Sequence, residues 1–307
     1  MDSPPTQRYP QSHLVACVIP WTSDDKPDTG AFERHVQAAI EADYRCLYIF
    51  GTAGEGYAVS ETGFRQVVSK FARLSLGGGR DPQVGIMGLS MQTMIERIRW
   101  CVDQGIEMFQ ISLPAWGPLD DKELMVFFET VCGTFPDCRF LHYNLPRTKR
   151  VLTGADYRRV ASAVPNLVAT KNSSTDYART ADLLRESPEL QHFLLESNYA
   201  MGCTVGRCSL LCSLGGLLPK LAWRLFGAGM QGDVADLFRV TDILHGLKQR
   251  LFSHCERAMI DGAYDKAFAW LRDPTFSPRL LPPYIGMSES ELARCRQIFE
   301  AELADLG

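Results

Sequence analysis

The chain has 307 residues, 46% of them hydrophobic and 22% charged, with a formal net charge of -4. That balance suits a globular chain with a full core and excludes extended disorder. With no basic excess, nucleic acid and anionic membrane are not expected partners, and a small molecule is. The ten cysteines fall in apolar runs such as Val15-Ala16-Cys17-Val18, which reads as reduced core thiols. Cys203, Cys208 and Cys212 have no histidine or second cysteine pair nearby, so no metal site is expected. No apolar stretch approaches membrane-spanning length, and the first residues show no secretory leader pattern, which makes the cytoplasm the expected location.

Residues 1–12 are polar and proline-rich and predict an extended arm. Leu14 to Pro20 then reads as a strand, and Phe32, Val36, Ala39 and Ile40 follow helical spacing. The same alternation recurs along the chain. Cys46 to Phe50 runs into the loop Gly51-Thr52-Ala53-Gly54-Glu55-Gly56-Tyr57, and Ser60 caps a helix. Gln83 to Met87 precedes a helix opened by Ser90, and Ile106 to Leu113 precedes one from Asp120. Cys138 to Tyr143 ends at Asn144-Leu145-Pro146, and Thr153 caps the next helix. Leu167 to Thr170 is the sixth strand, Gln191 to Leu195 the seventh, and Cys208 to Leu211 the eighth.

Eight strands alternating with helices predict a closed (β/α)8 TIM barrel. About ten residues separate the last two strands, so a reduced connection is expected there in place of a full helix. Beyond Gly229 the pattern is helical over 234–254, 263–271 and 288–303, broken by prolines between Pro274 and Pro283. The expected division is an arm over 1–12, the barrel over 13–229 and a C-terminal helical region over 230–307.

Active sites of such barrels lie where strands end. In isolation, Lys171 after Leu167-Val168-Ala169 reads either as a solvated strand-end lysine or as an amine against low-dielectric walls, suited to Schiff-base chemistry. Thr52, Trp116, Tyr143 and Asn198 also fall at strand ends, and in a barrel all five residues converge on one mouth.

Three motifs together, Gly51-Thr52-x-Gly54-Glu55, Tyr143-Asn144-Leu145-Pro146 and Lys171 in Val168-Ala169-Thr170-Lys171-Asn172-Ser173-Ser174, resemble the dihydrodipicolinate synthase and N-acetylneuraminate lyase family of class I aldolases. The resemblance covers about residues 13 to 300. It implies that Lys171 forms an imine with pyruvate or another 2-oxo acid, that Tyr143 shuttles protons, and that Thr52 with the amides of Ala53 and Gly54 binds the carboxylate. It implies no cofactor, because the lysine is the electron sink, and an assembly of identical subunits, a tetramer or dimer.

Departures from the family pattern bear on the second substrate, an aldehyde. Ala53 stands where dihydrodipicolinate synthases carry a second threonine, and Trp116 aligns with their relay tyrosine, although indole cannot pass a proton as a phenol can. Thr148 occupies the position of their substrate arginine, with Arg147 and Lys149 on either side. Trp116 is read as a substrate-stacking or packing aromatic, and Arg147 as a ligand for an acidic substituent or part of a solvated basic loop. Ser173, Asn198 and Cys208 are further candidates for the substrate wall. The alternatives are a 2-keto-3-deoxy sugar acid dehydratase or an arylidene pyruvate hydratase-aldolase using the same lysine, and, outside enzymes, a non-catalytic metabolite-binding barrel.

Overall fold

Eight parallel strands close on themselves in sequence order in the computed structural model, which describes residues 6–306. They are β1 (His13–Ala16), β2 (Cys46–Ile49), β3 (Asp81–Ile86), β4 (Met108–Ile111), β5 (Arg139–Asn144), β6 (Leu167–Asn172), β7 (Gln191–Leu195) and β8 (Ser209–Leu211). Closure is made by β8 against β1, with His13 opposite Leu210 and Leu14 opposite Leu211. Each strand is followed by a helix: α1 (Thr29–Glu41), α2 (Glu61–Ser75), α3 (Met91–Asp103), α4 (Asp121–Gly133), α5 (Gly154–Ala163), α6 (Tyr177–Glu186), α7 (Glu196–Val205) and α8 (Pro219–Gln231). Ser60, Ser90 and Thr153 cap α2, α3 and α5, each accepting a backbone N–H from the helix's first turn. The chain is a (β/α)8 barrel.

Both faces of the sheet are covered, which explains strands that are apolar almost throughout. Leu14, Cys46, Met108, Leu141, Ala169 and Phe193 belong to one buried cluster. Leu47, Ile49, Phe109 and Phe140 belong to a larger one shared with the surrounding helices. The remaining helices are α9 (Val234–Phe252), α10 (Asp261–Arg272) and α11 (Glu289–Leu306). Leu237, Val240, Leu244 and Leu247 on α9 share a core with Tyr199 and Ala200 on α7 and with Ala267 and Phe268 on α10. The start of α10 lies over the β2 loop: a Cβ on Gly262 would come within 3.2 Å of the Ala53 carbonyl. Among the described residues, no helix is long and apolar enough to cross a membrane.

Two expectations change. Residues 1–5 of the arm lie outside the described residues, but 6–12 are docked against the barrel. Tyr9 is buried and hydrogen-bonds to Asp81, the first residue of β3, while the Arg8 guanidinium donates to the carbonyls of Ala161, Val164 and Leu167. The link between β7 and β8 is also not reduced. Helix α7 starts directly from the last residue of β7 without a loop, so ten residues suffice for it. Gly202 lets it sit close to the sheet, since a Cβ there would meet Leu194 at 2.4 Å.

Candidate active site

Strand β6 carries Leu167, Val168 and Ala169 into the barrel wall and presents Lys171 as its next-to-last residue, only 3% exposed. Its neighbours in the sheet are Tyr143 on β5 and Phe193 on β7. The Lys171 Nζ donates to the Tyr48 hydroxyl at 3.0 Å. It also lies 3.9 Å from the Tyr143 ring centroid and 4.3 Å from that of Tyr48. No carboxylate pairs with it among the described residues. Burial therefore dominates and lowers the amine to about 7, against the opposing fields of Asp265 and Asp261 on α10.

The two phenols respond in the opposite sense. Burial raises Tyr143 above the ordinary tyrosine range, with a hydrogen bond from Thr52 acting against the rise. Burial raises Tyr48 well above it. Both keep their protons at neutral pH and can donate them.

The loop after β2 packs against this group. Gly51 is required by contact, because a Cβ there would sit 2.8 Å from the Tyr48 ring and 3.4 Å from the Lys171 Nζ. Gly54 is required by its own turn, where a Cβ would meet the Phe50 nitrogen at 2.7 Å. Glu55 holds a left-handed backbone, φ 57. Its buried carboxylate accepts from the Trp21 indole at 2.7 Å and the Leu281 amide at 2.6 Å, and it pairs with Lys266. The amides of Ala53 and Gly54 do not take part in the hydrogen bonds of this turn.

A cavity of about 610 Å³ opens above Lys171. Its strand-end wall holds Tyr48, Ala53, Tyr143, Arg147, Ser173 and Ser213 around the lysine, and its helical wall holds Lys248, Asp261 and Asp265. Thr52 opens instead on an adjoining groove of about 550 Å³ that shares Arg147. The two cations of the cavity besides Lys171 are already matched. Arg147 makes two bonds to Asp261 at 3.1 and 3.2 Å, and Lys248 bonds Glu196 at 3.2 Å and the Ser213 hydroxyl at 3.1 Å. Asp265 makes no ion pair among the described residues, and burial raises its carboxyl to about 7. Among the described residues, no group of three or more His, Cys, Asp or Glu is placed to hold a metal ion.

The expected site residues thus divide. Lys171, Tyr143, Thr52, Ala53, Gly54, Arg147 and Ser173 are brought to the mouth. Trp116 is not: it is 84% exposed, and its backbone carbonyl takes the Lys149 amine at 2.7 Å. Asn198 lies within α7, and its amide donates to the Ser174 carbonyl at 3.2 Å and to the Thr180 hydroxyl. Cys208 precedes the first residue of β8, at the opposite end of the barrel, where its sulfur is 3.7 Å from that of Cys203. Thr148 turns into its own loop, donating to the Leu145 carbonyl at 2.7 Å. Sequence reasoning missed Tyr48, Lys248 and Asp265. Strand alternation, with Cys46 and Tyr48 on one face and Leu47 and Ile49 on the other, was a signal for Tyr48; nothing local marked the two helical residues.

A closed barrel with an unpaired, depressed lysine at the end of β6 and phenols around it has the layout of a Schiff-base lyase. The sequence model of the Dihydrodipicolinate synthetase family matches residues 10–301, and the chain belongs to that family. The 4-hydroxy-tetrahydrodipicolinate synthase of Laribacter hongkongensis is 27% identical over 252 residues, covering 79% of this chain and 83% of the relative. That of Salinibacter ruber is 29% identical over 178 residues, 57% of each chain. YagE, a prophage protein of the same family from E. coli K12 solved in complex with pyruvate, superposes with a TM-score of 0.86 at 16% identity, covering 95% of this chain and 98% of that one.

Proposed function

We propose that this protein is a Schiff-base lyase whose Lys171 condenses with the ketone of pyruvate or a related 2-oxo acid and makes or breaks a carbon–carbon bond to an aldehyde. The observation that carries the reading is the buried amine, unpaired by any carboxylate and lowered to about 7, lying against two phenols under an open cavity. A neutral amine adds to a ketone, and the resulting iminium draws electrons from the adjacent carbon, so that an enamine forms near neutral pH. The free amides of Ala53 and Gly54 suit the substrate carboxylate. Tyr143, its ring against the nitrogen and its phenol held protonated by burial, suits proton transfer at the carbon skeleton.

The second substrate in this reading is not the one used in dihydrodipicolinate synthesis. Thr148 is folded into its loop and Arg147 is occupied by Asp261, so neither residue offers a free cation to a second carboxylate. Asp265 supports a second reading, dehydration of a 3-deoxy sugar acid, because a cavity carboxyl raised to about 7 can protonate a departing hydroxyl. An assembly of identical copies, dimer or tetramer, is proposed as well, since the exposed Trp116 indole is suited to cover by a partner.

Pyruvate with borohydride is expected to add one stable adduct, mapped to Lys171 by peptide mass spectrometry and absent from K171A. Folded protein that gives no adduct with pyruvate or any other small 2-oxo acid overturns the proposal. Release of an aldehyde with the keto acid separates aldol cleavage from dehydration.

A further inference from the structure

Two phenols surround the Lys171 nitrogen, and they face it differently. Tyr143 presents its ring, centroid 3.9 Å away. Tyr48 presents its oxygen, 3.0 Å from Nζ, and that oxygen makes no second hydrogen bond among the described residues. It lines the cavity, and its ring lies where any side chain on Gly51 would collide with it. The cavity borders both groups, so a small carbonyl compound can approach the nitrogen and the phenol together.

We infer that Tyr48 is a catalytic residue of imine formation, moving protons between the Lys171 nitrogen and the oxygen that leaves the substrate. The inference rests on the Lys171 reading above. As the amine's lone pair bonds to the ketone carbon, the carbonyl π pair moves to oxygen. Tyr48 gives its proton to that oxygen and takes one from nitrogen, leaving a neutral carbinolamine and a regenerated phenol. In the second step the nitrogen lone pair forms the C=N bond and the C–O bond breaks with its electron pair. Tyr48 protonates the departing hydroxide, water leaves, and a phenolate remains beside the iminium with no net change in charge. The proton lost from the adjacent carbon on enamine formation restores the phenol, so no external acid is consumed. Burial suits the task, because the phenol stays protonated until an iminium forms next to it.

The test is the exchange of the pyruvate ketone oxygen with ¹⁸O-labelled water, which reads carbinolamine formation and dehydration and no carbon–carbon step. It is run with rapid-quench borohydride trapping on wild type, K171A and Y48F. Y48F is expected to slow both exchange and trapping by about 10²-fold while keeping the wild-type melting temperature and the same final adduct at Lys171. Exchange by Y48F within twofold of wild type overturns the role of Tyr48 and leaves the lysine reading standing. Wild type that neither exchanges nor traps overturns both. Where Y48F does not fold, fluorotyrosine incorporated at position 48 keeps the shape and changes only the phenol's acidity. A rate that shifts with that acidity supports proton transfer, and a rate that ignores it refutes it.

Discussion

Lys171 and Lys266 are both buried amines, 3% and 0% exposed, yet they do different work. Lys266 on α10 is paired with Glu55 and donates to the Arg279 carbonyl, and burial lowers it only to about 8. Lys171 has aromatic rings and one phenol oxygen in place of a carboxylate, and it is lowered to about 7. Burial is common to the two; the partner decides. A paired ammonium is a fastener, and this one ties the β2 loop to α10 and to the Leu281 amide through Glu55. An unpaired amine in a cavity is available for bonding to carbon.

The sharpest way to break the comparison is to remove each amine. K171A is expected to cost activity on the order of 10⁴-fold or more, with the fold retained in circular dichroism. K266M or E55Q is expected instead to destabilise the fold by about 3–5 kcal/mol, because either leaves a buried polar group without its partner. Urea unfolding measures this, and a change below about 1 kcal/mol in both variants would contradict the fastening role.

The stability of K171M sharpens the contrast further. The folded-state value of Lys171, about 7, lies below the ordinary lysine value of 10.5. Its burial therefore costs stability increasingly as pH falls from about 10.5 to about 7, and the cost is constant below that. K171M should melt higher than wild type at pH 6, with a gap that narrows as pH is raised toward 10; a melting point at or below wild type at pH 6 would show that the site carries no such cost. The smallest effect is in rate. Trapping of pyruvate at saturating borohydride should rise about tenfold per pH unit below 7 and flatten above it, since only the neutral amine adds to the ketone. A profile still rising at pH 9 would place the amine near its ordinary value.

Much of this molecule is local in origin. Strand and helix alternation, the capping residues Ser60, Ser90 and Thr153, and the delivery of Lys171 by an apolar strand all depend on neighbours within a few residues, and those can be read along the chain. Placing Tyr143 beside Lys171, and Thr52 at the same mouth, required only the rule that barrel strands end at one mouth. That rule fails where an element boundary is misjudged. The strand pattern puts Asn198 in a strand-end loop, but α7 begins immediately after Leu195 and turns its amide to Thr180. The apolar run places Cys208 in strand 8, but it precedes β8 and lies at the other end of the barrel.

The sequence by itself determined the barrel, the strand that carries the lysine and the family motifs, because periodicity and strand order are properties of short stretches. Tertiary structure alone decided which charges are matched. The pairing of Glu55 with Lys266 joins residues 211 positions apart, and the contact of Tyr48 with Lys171 joins residues 123 apart. Side-chain distances of that kind, and the burial that displaces an amine's proton affinity, exist only once the barrel has closed and α10 has settled over its mouth.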